Sequence, residues 1–337
     1  MDLSHIDSAN TGLPCGEIPG LNKPVSRIFF GTATPAMLAG KNVNSLLDAV
    51  YDLGINAFDC ARGYGLAEKS LGKWVKERDN RENVVILTKC GNVNMFGHVH
   101  VDRKVILSEL QKSLKMLDVS YIDIYLLHRD DPNTPVSEII ETLNACREQG
   151  KIRVFGVSNW THERIREANA YAKEHGLEGF TVSSPNFGLA RQESDPWGGD
   201  CVTLSGPQNA AARKWYAENG MPVIAYSSLA RGFFSGKFRA FDYEGAKKVL
   251  DGAGQKGYLC PENMQRLKNA EILAQKYHTT VADIALRYIF GSDMNVYAVL
   301  TSTNPERMAA NASAASRPLS PEDIRFLEDD TEKPVKP

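Results

Sequence analysis

Four ionisable side chains lie at or just beyond the ends of three successive predicted strands. Asp59 ends a short strand, and Tyr64 lies in the loop that follows it. Lys89 ends the next predicted strand, and His128 directly follows the one after that. A carboxylate, a phenol, an ammonium and an imidazole together provide a proton donor and the means to tune its pKa. This pattern predicts acid–base chemistry centred on a phenol.

Each of these side chains alone has an ordinary interpretation. A lysine or aspartate at a strand end is often solvated or ion-paired, and a lone histidine is often a satisfied core residue. Recurrence at equivalent places in successive strand–helix units favours one shared site. In a parallel β/α barrel the carboxyl ends of the strands converge on one face, where the active site lies.

The elements that must position these residues follow from an alternation of strand and helix patterns that repeats eight times. The predicted fold class is α/β, a (β/α)8 TIM barrel formed by a single domain over residues 1–337. We expect an N-terminal hairpin, long loops after strands 3, 6 and 7, an extra C-terminal helix, and a flexible leader (1–15) and tail (330–337). The predicted strands are 28–33, 55–59, 83–89, 121–127, 152–157, 179–184, 222–226 and 295–300, and the predicted helices between and after them include 45–53, 66–77, 102–117, 162–174, 207–219, 262–276, 280–291 and 305–314.

Local signals support several helix ends. Asp102 is a candidate N-cap for the helix that follows it, and Thr134-Pro135 is typical of a cap followed by a first-turn proline. Gly150 would end that helix. Ser320 precedes a proline and two acidic residues, which predicts the start of the final helix.

Composition narrows the class of protein. The chain has 337 residues, of which 42% are hydrophobic and 24% charged, with a net charge of -2. A net charge this close to zero gives no indication of nucleic acid or an anionic membrane as a partner. No apolar run reaches about 18 residues, and the first ten residues lack a secretory core. We therefore expect a cytoplasmic protein with neither nucleic acid nor a membrane as its partner.

The cysteines are scattered, with no metal-like spacing and no CxxC pair. In a chain of this size they are interpreted as reduced thiols. Cys60 and Cys90 directly follow Asp59 and Lys89, so a redox-sensing role is the alternative to an ordinary role as small buried residues.

Several segments resemble one family in the right order. Gly54-Ile-Asn-Ala-Phe-Asp-Cys-Ala-Arg-Gly-Tyr64 is similar to the aldo-keto reductase signature G-x-N-x-F-D-T-A-x-x-Y. The similarity runs from about residue 16 to residue 328, and its other blocks are 113–128, 150–159, 225–232 and 301–311.

The resemblance implies NAD(P)H-dependent carbonyl reduction on a barrel, without a metal. Tyr64 would be the general acid, Lys89 its electrostatic partner, and Asp59 the group that holds Lys89. His128 would orient the carbonyl. A free tyrosine titrates at about 10, and we expect the Lys89 ammonium to bring the phenol closer to working pH.

The resemblance also implies a cradle for NADPH, with NADH as the less expected cofactor. Ser158 and Asn159 would hold the nicotinamide carboxamide, and Tyr226 would stack on the nicotinamide ring. Ser302 and Arg307 would bind the 2′-phosphate, since a guanidinium matches phosphate. Leu229 and Arg231 would cover the pyrophosphate and Asn311 would meet the adenine; the other implied cofactor residues are Gly31, Thr32, Ala33, Asp59, Ser183, Ser227, Gly232 and Thr301.

The chain departs from the family pattern at three places. Cys60 replaces the threonine of the signature. Ser183 stands where the family has a glutamine after strand six, which affects one carboxamide contact. Thr301 stands where many members have lysine, so NADPH preference rests on Arg307 and Ser302.

Two further patterns resemble a dinucleotide-binding motif and a metal site. Gly252-Ala-Gly-Gln-Lys-Gly257 fits G-x-G-x-x-G, but a dinucleotide fingerprint must follow a strand and open a helix. We interpret it as a flexible loop that forms a flap over the cofactor. His98-x-His100 has metal-like spacing, but no third ligand is evident, so loop histidines are the better interpretation.

The preferred interpretation is an NADP-dependent aldo-keto reductase. Polar rim residues such as Asn92, Arg129, Asp130 and Asp131 favour a polar carbonyl such as a sugar. One alternative is an NADPH-binding regulatory subunit with little turnover, which the intact quartet of Asp59, Tyr64, Lys89 and His128 does not exclude. Another is an aldolase that uses Lys89 as a Schiff-base amine, which requires a desolvated neutral lysine.

Overall fold

The computed structural model describes residues 12–93, 97–197 and 200–329. Two short strands, β1 (Cys15–Gly16) and β2 (Val25–Ser26), pair antiparallel ahead of the barrel, which confirms the N-terminal hairpin. The barrel strands are β3 (Ile28–Gly31), β4 (Ala57–Asp59), β5 (Val85–Cys90), β6 (Ile122–Leu127), β7 (Ile152–Ser158), β8 (Val182–Ser184), β9 (Val223–Ala225) and β10 (Val296–Leu300).

These eight strands close into a barrel in the order β10-β3-β4-β5-β6-β7-β8-β9, and the predicted (β/α)8 fold is confirmed. The α-helices among the described residues are α1 (Pro35–Leu38), α2 (Asn44–Asp52), α3 (Ala67–Arg78), α4 (Arg103–Leu117), α5 (Val136–Glu148), α6 (His162–Glu174), α7 (Ala210–Asn219), α8 (Tyr243–Val249), α9 (Gly252–Tyr258), α10 (Pro261–Lys276), α11 (Val281–Phe290), α12 (Pro305–Ala312) and α13 (Pro321–Glu328).

The central strands are buried along their whole length. Every residue of β5 and β6 is buried, and in β7 only Arg153 is exposed. Such strands are continuous apolar runs because both faces of the sheet are covered. Their pairing is parallel, with Lys89 of β5 opposite Leu126 of β6, so their carboxyl ends lie on one side.

Side-chain caps fix where several helices begin. The carboxylate of Asp102 accepts a hydrogen bond of 3.0 Å from the Val105 amide, and α4 begins at the next residue as predicted. Ser320 accepts one of 3.2 Å from the Asp323 amide at the start of α13, the expected extra C-terminal helix. Each cap satisfies an amide that the first turn of a helix leaves without an intrahelical partner.

The predicted cap of α5 is wrong. The helix begins at Val136 with Pro135 at the N-cap position, and no side chain caps it. The hydroxyl of Thr134 instead donates a hydrogen bond of 3.0 Å to Asp131. Asp131 also accepts from the Asn133 amide at 3.1 Å, so the aspartate organises a turn of its own and removes the threonine from capping.

The predicted loop at residues 252–257 is also wrong, because these residues form α9. The carboxylate of Asp251 caps the helix by accepting a hydrogen bond of 2.7 Å from the Gly254 amide. A buried face that includes Gly257 and Tyr258 supplies the packing that three glycines alone would not. The helix follows α8 rather than a strand, so the segment is not a dinucleotide fingerprint.

The chain divides into two compact units. The first runs to Ser184 and adds Val299–Met308, and the second comprises Pro185–Ala298 together with the described residues from Ala309 onward. The expectation of a single domain stays a prediction. Residues 1–11 of the predicted leader and the whole predicted tail, 330–337, lie outside the described residues, whereas Cys15 of the leader pairs with Ser26 in the hairpin.

None of the helices in the described part of the chain combines the length and the apolar character that crossing a membrane requires.

Candidate active site

The first unit brings a buried lysine and a buried aspartate into direct contact. Asp59 is the last residue of β4, and Lys89 is the penultimate residue of β5. The ammonium of Lys89 donates a hydrogen bond of 2.5 Å to Asp59 Oδ1 and one of 3.0 Å to the carbonyl of Cys60. The side chains are only 4% and 7% exposed, so water screens this pair little.

Opposing effects set the pKa values of the pair. Burial by itself lowers the pKa of Lys89, but attraction to Asp59 and then to Tyr64 outweighs burial, and the pKa lies above its ordinary value. Burial raises the pKa of Asp59, and Lys89 offsets part of that rise. The ammonium form of Lys89 is therefore favoured, which argues against the aldolase alternative because a Schiff base needs a neutral amine.

Tyr64 lies between the lysine and the histidine. The Lys89 ammonium is 5.2 Å from the centroid of the Tyr64 ring, and the rings of Tyr64 and His128 meet edge to face with centroids 5.8 Å apart. Burial raises the pKa of the Tyr64 phenol above its ordinary value, although Lys89 pulls it down. The expected net lowering of the Tyr64 pKa is therefore wrong, because the cost of desolvating the phenolate exceeds its attraction to the ammonium. The expected direction of the effect of Lys89 is right, since the ammonium by itself lowers the pKa of Tyr64.

His128 directly follows β6 and is held as a neutral imidazole. Burial, and next the charges of Lys89 and Arg129, keep the pKa of His128 well below its ordinary value. Its backbone amide donates a hydrogen bond of 2.6 Å to the carbonyl of Cys90. A neutral imidazole carries one N–H, so it can donate a hydrogen bond to an oxygen while its other nitrogen accepts.

The two residues predicted to hold a carboxamide, Ser158 and Asn159, lie beside His128. The Ser158 hydroxyl donates a hydrogen bond of 2.7 Å to the Ser184 carbonyl. The Asn159 amide donates to the carbonyl of His128 at 3.0 Å and to the Ser158 hydroxyl at 3.1 Å. Asn159 has φ of +60°, a left-handed conformation that asparagine tolerates better than most residues. Ser183 is fully buried within β8.

The ends of β3 and β10 are joined by a hydroxyl. Thr301 donates a hydrogen bond of 3.0 Å to the carbonyl of Gly31, and a Cβ added at Gly31 would lie 2.4 Å from the Thr301 hydroxyl oxygen. Thr32 donates to the carbonyl of Asp59 at 2.9 Å, and Ala33 is exposed just beyond. Only glycine fits at position 31, where the predicted cofactor would approach the backbone.

The predicted 2′-phosphate residues lie at the start of α12. The Ser302 hydroxyl donates to the Asn304 carbonyl at 3.1 Å, and the side-chain oxygen of Asn304 accepts from the Arg307 amide at 2.7 Å. The guanidinium of Arg307 is exposed and makes no ion pair within residues 12–93, 97–197 and 200–329. An exposed, unpaired guanidinium beside a helix N-terminus suits an anion such as a phosphate.

The second unit contains the other predicted cofactor residues. The ring of Tyr226 meets Trp197 edge to face at 5.5 Å, and the Arg231 guanidinium lies 5.3 Å from the Trp197 ring. Arg231 also forms an ion pair with Asp251, the N-cap of α9. The remaining predicted residues of this unit are Leu229 at the start of a 3-10 helix, Ser227 and Gly232 with φ of +56° and +97°, and Asn311, buried in α12.

Sequence reasoning missed two acidic residues: one forms an ion pair with a predicted site residue, and the other is bonded to residues close in sequence to Tyr64 and Lys89. Asp251 holds Arg231, and the signal available was its position as a capping residue before a glycine-rich helix. Glu68 is fully buried and is bonded to Arg62 in the loop of Tyr64. Glu68 is the second residue of α3. The clue available in the sequence was that it follows Tyr64 by only four residues.

The two thiols that directly follow Asp59 and Lys89 are protected. Cys60 and Cys90 are buried, and burial raises the pKa of each to about 12. A thiol with such a pKa is almost entirely protonated at neutral pH, and the thiolate is the reactive form. The redox-sensing alternative therefore loses its physical basis.

One group of side chains in the described part of the chain combines metal-ligand chemistry with close spacing. The ligand atoms of Glu193, Cys260 and Glu262 lie within 4.8 Å of one another, but Glu193 is exposed, and exposed acidic groups of this kind are common without an ion. The rings of His98 and His100 are 6.3 Å apart, and no third ligand joins them there.

Comparison with known proteins identifies the class. A model of the aldo/keto reductase family matches residues 27–329, and the chain belongs to that family. The chain is 27% identical over 299 residues to norsolorinic acid reductase B of Dothistroma septosporum, covering 84% of this chain and 70% of the relative. It is 28% identical over 302 residues to the aldo-keto reductase YhdN of Bacillus subtilis, covering 86% and 84%. It is 27% identical over 312 residues to L-glyceraldehyde 3-phosphate reductase of Escherichia coli, covering 89% and 86%. The family and these names support an oxidoreductase that reduces carbonyl groups in general.

Proposed function

We propose that the protein reduces an aldehyde or ketone to an alcohol with NADPH, and that Tyr64 donates the proton. The observation that carries this proposal is the buried contact of 2.5 Å between Lys89 and Asp59, beside which the Tyr64 phenol lies. A cation fixed next to a phenol stabilises the negative charge that develops as the phenol gives up its proton.

Each side chain of the quartet has a distinct part in this proposal. When bound, the cofactor supplies the hydride. Tyr64 donates its proton to the carbonyl oxygen as negative charge develops there, and Lys89 stabilises the phenolate that remains. Asp59 keeps Lys89 charged and in place. His128 donates a hydrogen bond to the same oxygen from its neutral ring. A protonated histidine could give its own proton to that oxygen, whereas the neutral ring leaves this step to Tyr64.

The residues of the first unit fit a nicotinamide dinucleotide with a 2′-phosphate. Ser158 and Asn159 present a hydroxyl and an amide next to the catalytic residues, and the lack of a side chain at Gly31 leaves room for the Thr301 hydroxyl at the ends of β3 and β10. Arg307 offers the charge that distinguishes NADPH from NADH. The free thiols and the fold fit a cytoplasmic enzyme, which is part of the same proposal.

The substrate is proposed to be a polar carbonyl compound such as a sugar. Asp130 and Asp131 follow the catalytic histidine, and Asp130 lies 3.5 Å from Arg164. Burial raises the pKa of Asp130 to about 6. The relative named for L-glyceraldehyde 3-phosphate is consistent with a polar substrate, whereas the relative named for norsolorinic acid indicates that an aryl carbonyl belongs in any substrate screen.

Cofactor titration tests the proposal. Quenching of protein fluorescence by NADPH and NADH is measured on the wild type and on Arg307→Ala. NADPH is expected to bind more tightly than NADH, and the variant is expected to lose about 10- to 100-fold of its NADPH affinity, since charged hydrogen bonds contribute about 1.5–3 kcal/mol, with little change for NADH. Lys276→Ala, which alters a lysine on α10, is the control and should bind both cofactors as the wild type does.

Three outcomes are informative. Selective loss of NADPH binding in Arg307→Ala supports the cofactor assignment. Failure of the wild type to bind either nucleotide contradicts the reductase proposal. Tight binding of NADPH without turnover of any carbonyl would favour a regulatory subunit instead.

A further inference from the structure

A buried carboxylate connects the loop of Tyr64 to the strand of Lys89. Glu68 is the second residue of α3 and is fully buried. Its Oε2 accepts a hydrogen bond of 2.5 Å from the Arg62 guanidinium, and its Oε1 accepts one of 2.8 Å from the Thr88 hydroxyl. One carboxylate therefore holds the loop with one oxygen and the strand with the other.

The backbone reinforces the same connection. The Arg62 amide donates a hydrogen bond of 2.9 Å to the carbonyl of Lys89, and the Cys60 amide donates one of 2.8 Å to the carbonyl of Leu87. The loop thus runs alongside β5 for a few residues. Within the loop the Tyr64 amide donates to the Ala61 carbonyl at 2.9 Å, which turns the chain and directs the phenol.

Burying a carboxylate costs free energy unless the carboxylate is paired, and the pair must have good hydrogen-bond geometry. Here the partners are a loop residue and a strand residue, so the carboxylate is satisfied only when the loop and the strand keep one relative position. That requirement makes the position of the loop sharply defined. A surface ion pair would not do so, because it loses little when its geometry changes.

We propose that Glu68 is a positioning residue that fixes the Tyr64 phenol against the Lys89 ammonium. This inference rests on the proposed role of Tyr64 as the proton donor. Glu68 forms a hydrogen bond or ion pair with neither of these two side chains, and it acts through Arg62 and Thr88. A displacement of about 1 Å at the reacting atoms can cost about 100-fold in rate.

Three variants perturb the connection in different ways. Arg62→Met removes the guanidinium, Glu68→Gln removes the charge with little change of shape, and Thr88→Val removes the hydroxyl at similar size. Arg62→Lys keeps the charge and is expected to restore part of the loss. Arg78→Met is the matched control, because Arg78 lies at the other end of α3 and pairs with Asp48 at 2.7 Å on the surface.

The expected result is a fall of about 10- to 100-fold in kcat for Arg62→Met and Glu68→Gln, with the NADPH dissociation constant unchanged. The alkaline limb of the kcat–pH profile should move to higher pH, because Lys89 pulls the pKa of Tyr64 down and the variants loosen that contact. A merely structural role would lower thermal stability and leave the limb in place.

A second readout does not depend on turnover. The protein is labelled with tyrosine carrying ¹³C at the ring carbon bonded to the hydroxyl, and the Tyr64 resonance is assigned by its loss in Tyr64→Phe. We expect this resonance to shift or broaden in Arg62→Met and Glu68→Gln, to shift less in Thr88→Val, and to stay unchanged in Arg78→Met.

The outcomes separate this inference from the proposed function. If the wild type reduces carbonyls and the folded variants keep the wild-type kcat, pH profile and Tyr64 resonance, the positioning role is wrong. If the wild type reduces no carbonyl, the proposed function fails, and the resonance alone decides whether Glu68 positions the phenol. Should Glu68→Gln fail to fold, Arg62→Met and Thr88→Val still break the connection from its two ends, with Arg62→Lys as the rescue.

Discussion

Removing the carboxylate of the buried pair should destabilise the protein strongly. In Asp59→Asn the Lys89 ammonium loses the partner that lies 2.5 Å away, at a place where the two side chains are 4% and 7% exposed. Water cannot replace the lost interaction there. Loss of one partner of a buried pair costs about 3–5 kcal/mol of unfolding free energy, so we expect a loss in this range at neutral pH.

A double-mutant cycle isolates the pair from other effects of substitution. Lys89→Met alone leaves the buried carboxylate of Asp59 without its partner and should lower the free energy of unfolding by a similar amount. The variant that carries both substitutions has no unpaired buried charge, and its loss should fall short of the sum of the single losses by about 3 kcal/mol. Urea unfolding followed by circular dichroism measures all four proteins.

An exposed pair provides the scale for comparison. Arg78 and Asp48 are 2.7 Å apart with about a third of each side chain exposed, and Arg78→Met should cost only about 0–1 kcal/mol. If Asp59→Asn were as mild as this control, or if the losses of the two single substitutions simply added, the buried pair would not be the strong interaction described above.

Three further predictions concern the neighbourhood of the pair. Because burial raises the pKa of Tyr64 above its ordinary value of about 10, the rate of carbonyl reduction should hold through neutral pH and fall only in alkaline solution as the phenol loses its proton; a pH–rate profile that falls near neutrality would contradict this. Gly31→Ala should destabilise the protein by about 1–3 kcal/mol through overpacking, since the new Cβ meets the Thr301 hydroxyl at 2.4 Å, and adding Thr301→Ala should recover part of the loss in thermal unfolding. Cys60 and Cys90 should resist iodoacetamide in the folded protein and react only after denaturation, as mass spectrometry of the labelled peptides would record; rapid labelling of either in the native state would refute their assignment as inert thiols.

The barrel and its strand ends were predictable because they depend on short-range patterns. Runs such as 121–127 are buried along the strand, and the helix after Asp102 has both a cap and a periodic apolar face. The aldo-keto reductase resemblance added the roles of the quartet, which no pattern of hydrophobicity specifies. Asp59 and Lys89 are thirty residues apart, and only the parallel pairing of β4 with β5 explains their contact.

What escaped prediction depends on competition between effects. The pKa of Tyr64 required the balance between burial and one ammonium, and burial at a loop residue cannot be measured from sequence. The helix at Gly252–Tyr258 runs against the low helix propensity of glycine, and its cap and buried face outweigh that propensity. The partners of Glu68 lie on a loop and on a strand, so its contacts follow from tertiary structure alone.

The Tyr64 hydroxyl is the proposed proton donor in an NADPH-dependent reduction, so its removal should abolish most of the turnover. Oxidation of NADPH is followed with a panel of aldehydes and ketones for the wild type and for Tyr64→Phe, after fluorescence titration has given the NADPH affinity of both. We predict equal affinity and a fall in kcat of about 10²–10⁴-fold in the variant, the range of general acid catalysis. Turnover by Tyr64→Phe at the wild-type rate, with the same carbonyl and the same affinity for NADPH, would show that Tyr64 is not the proton donor.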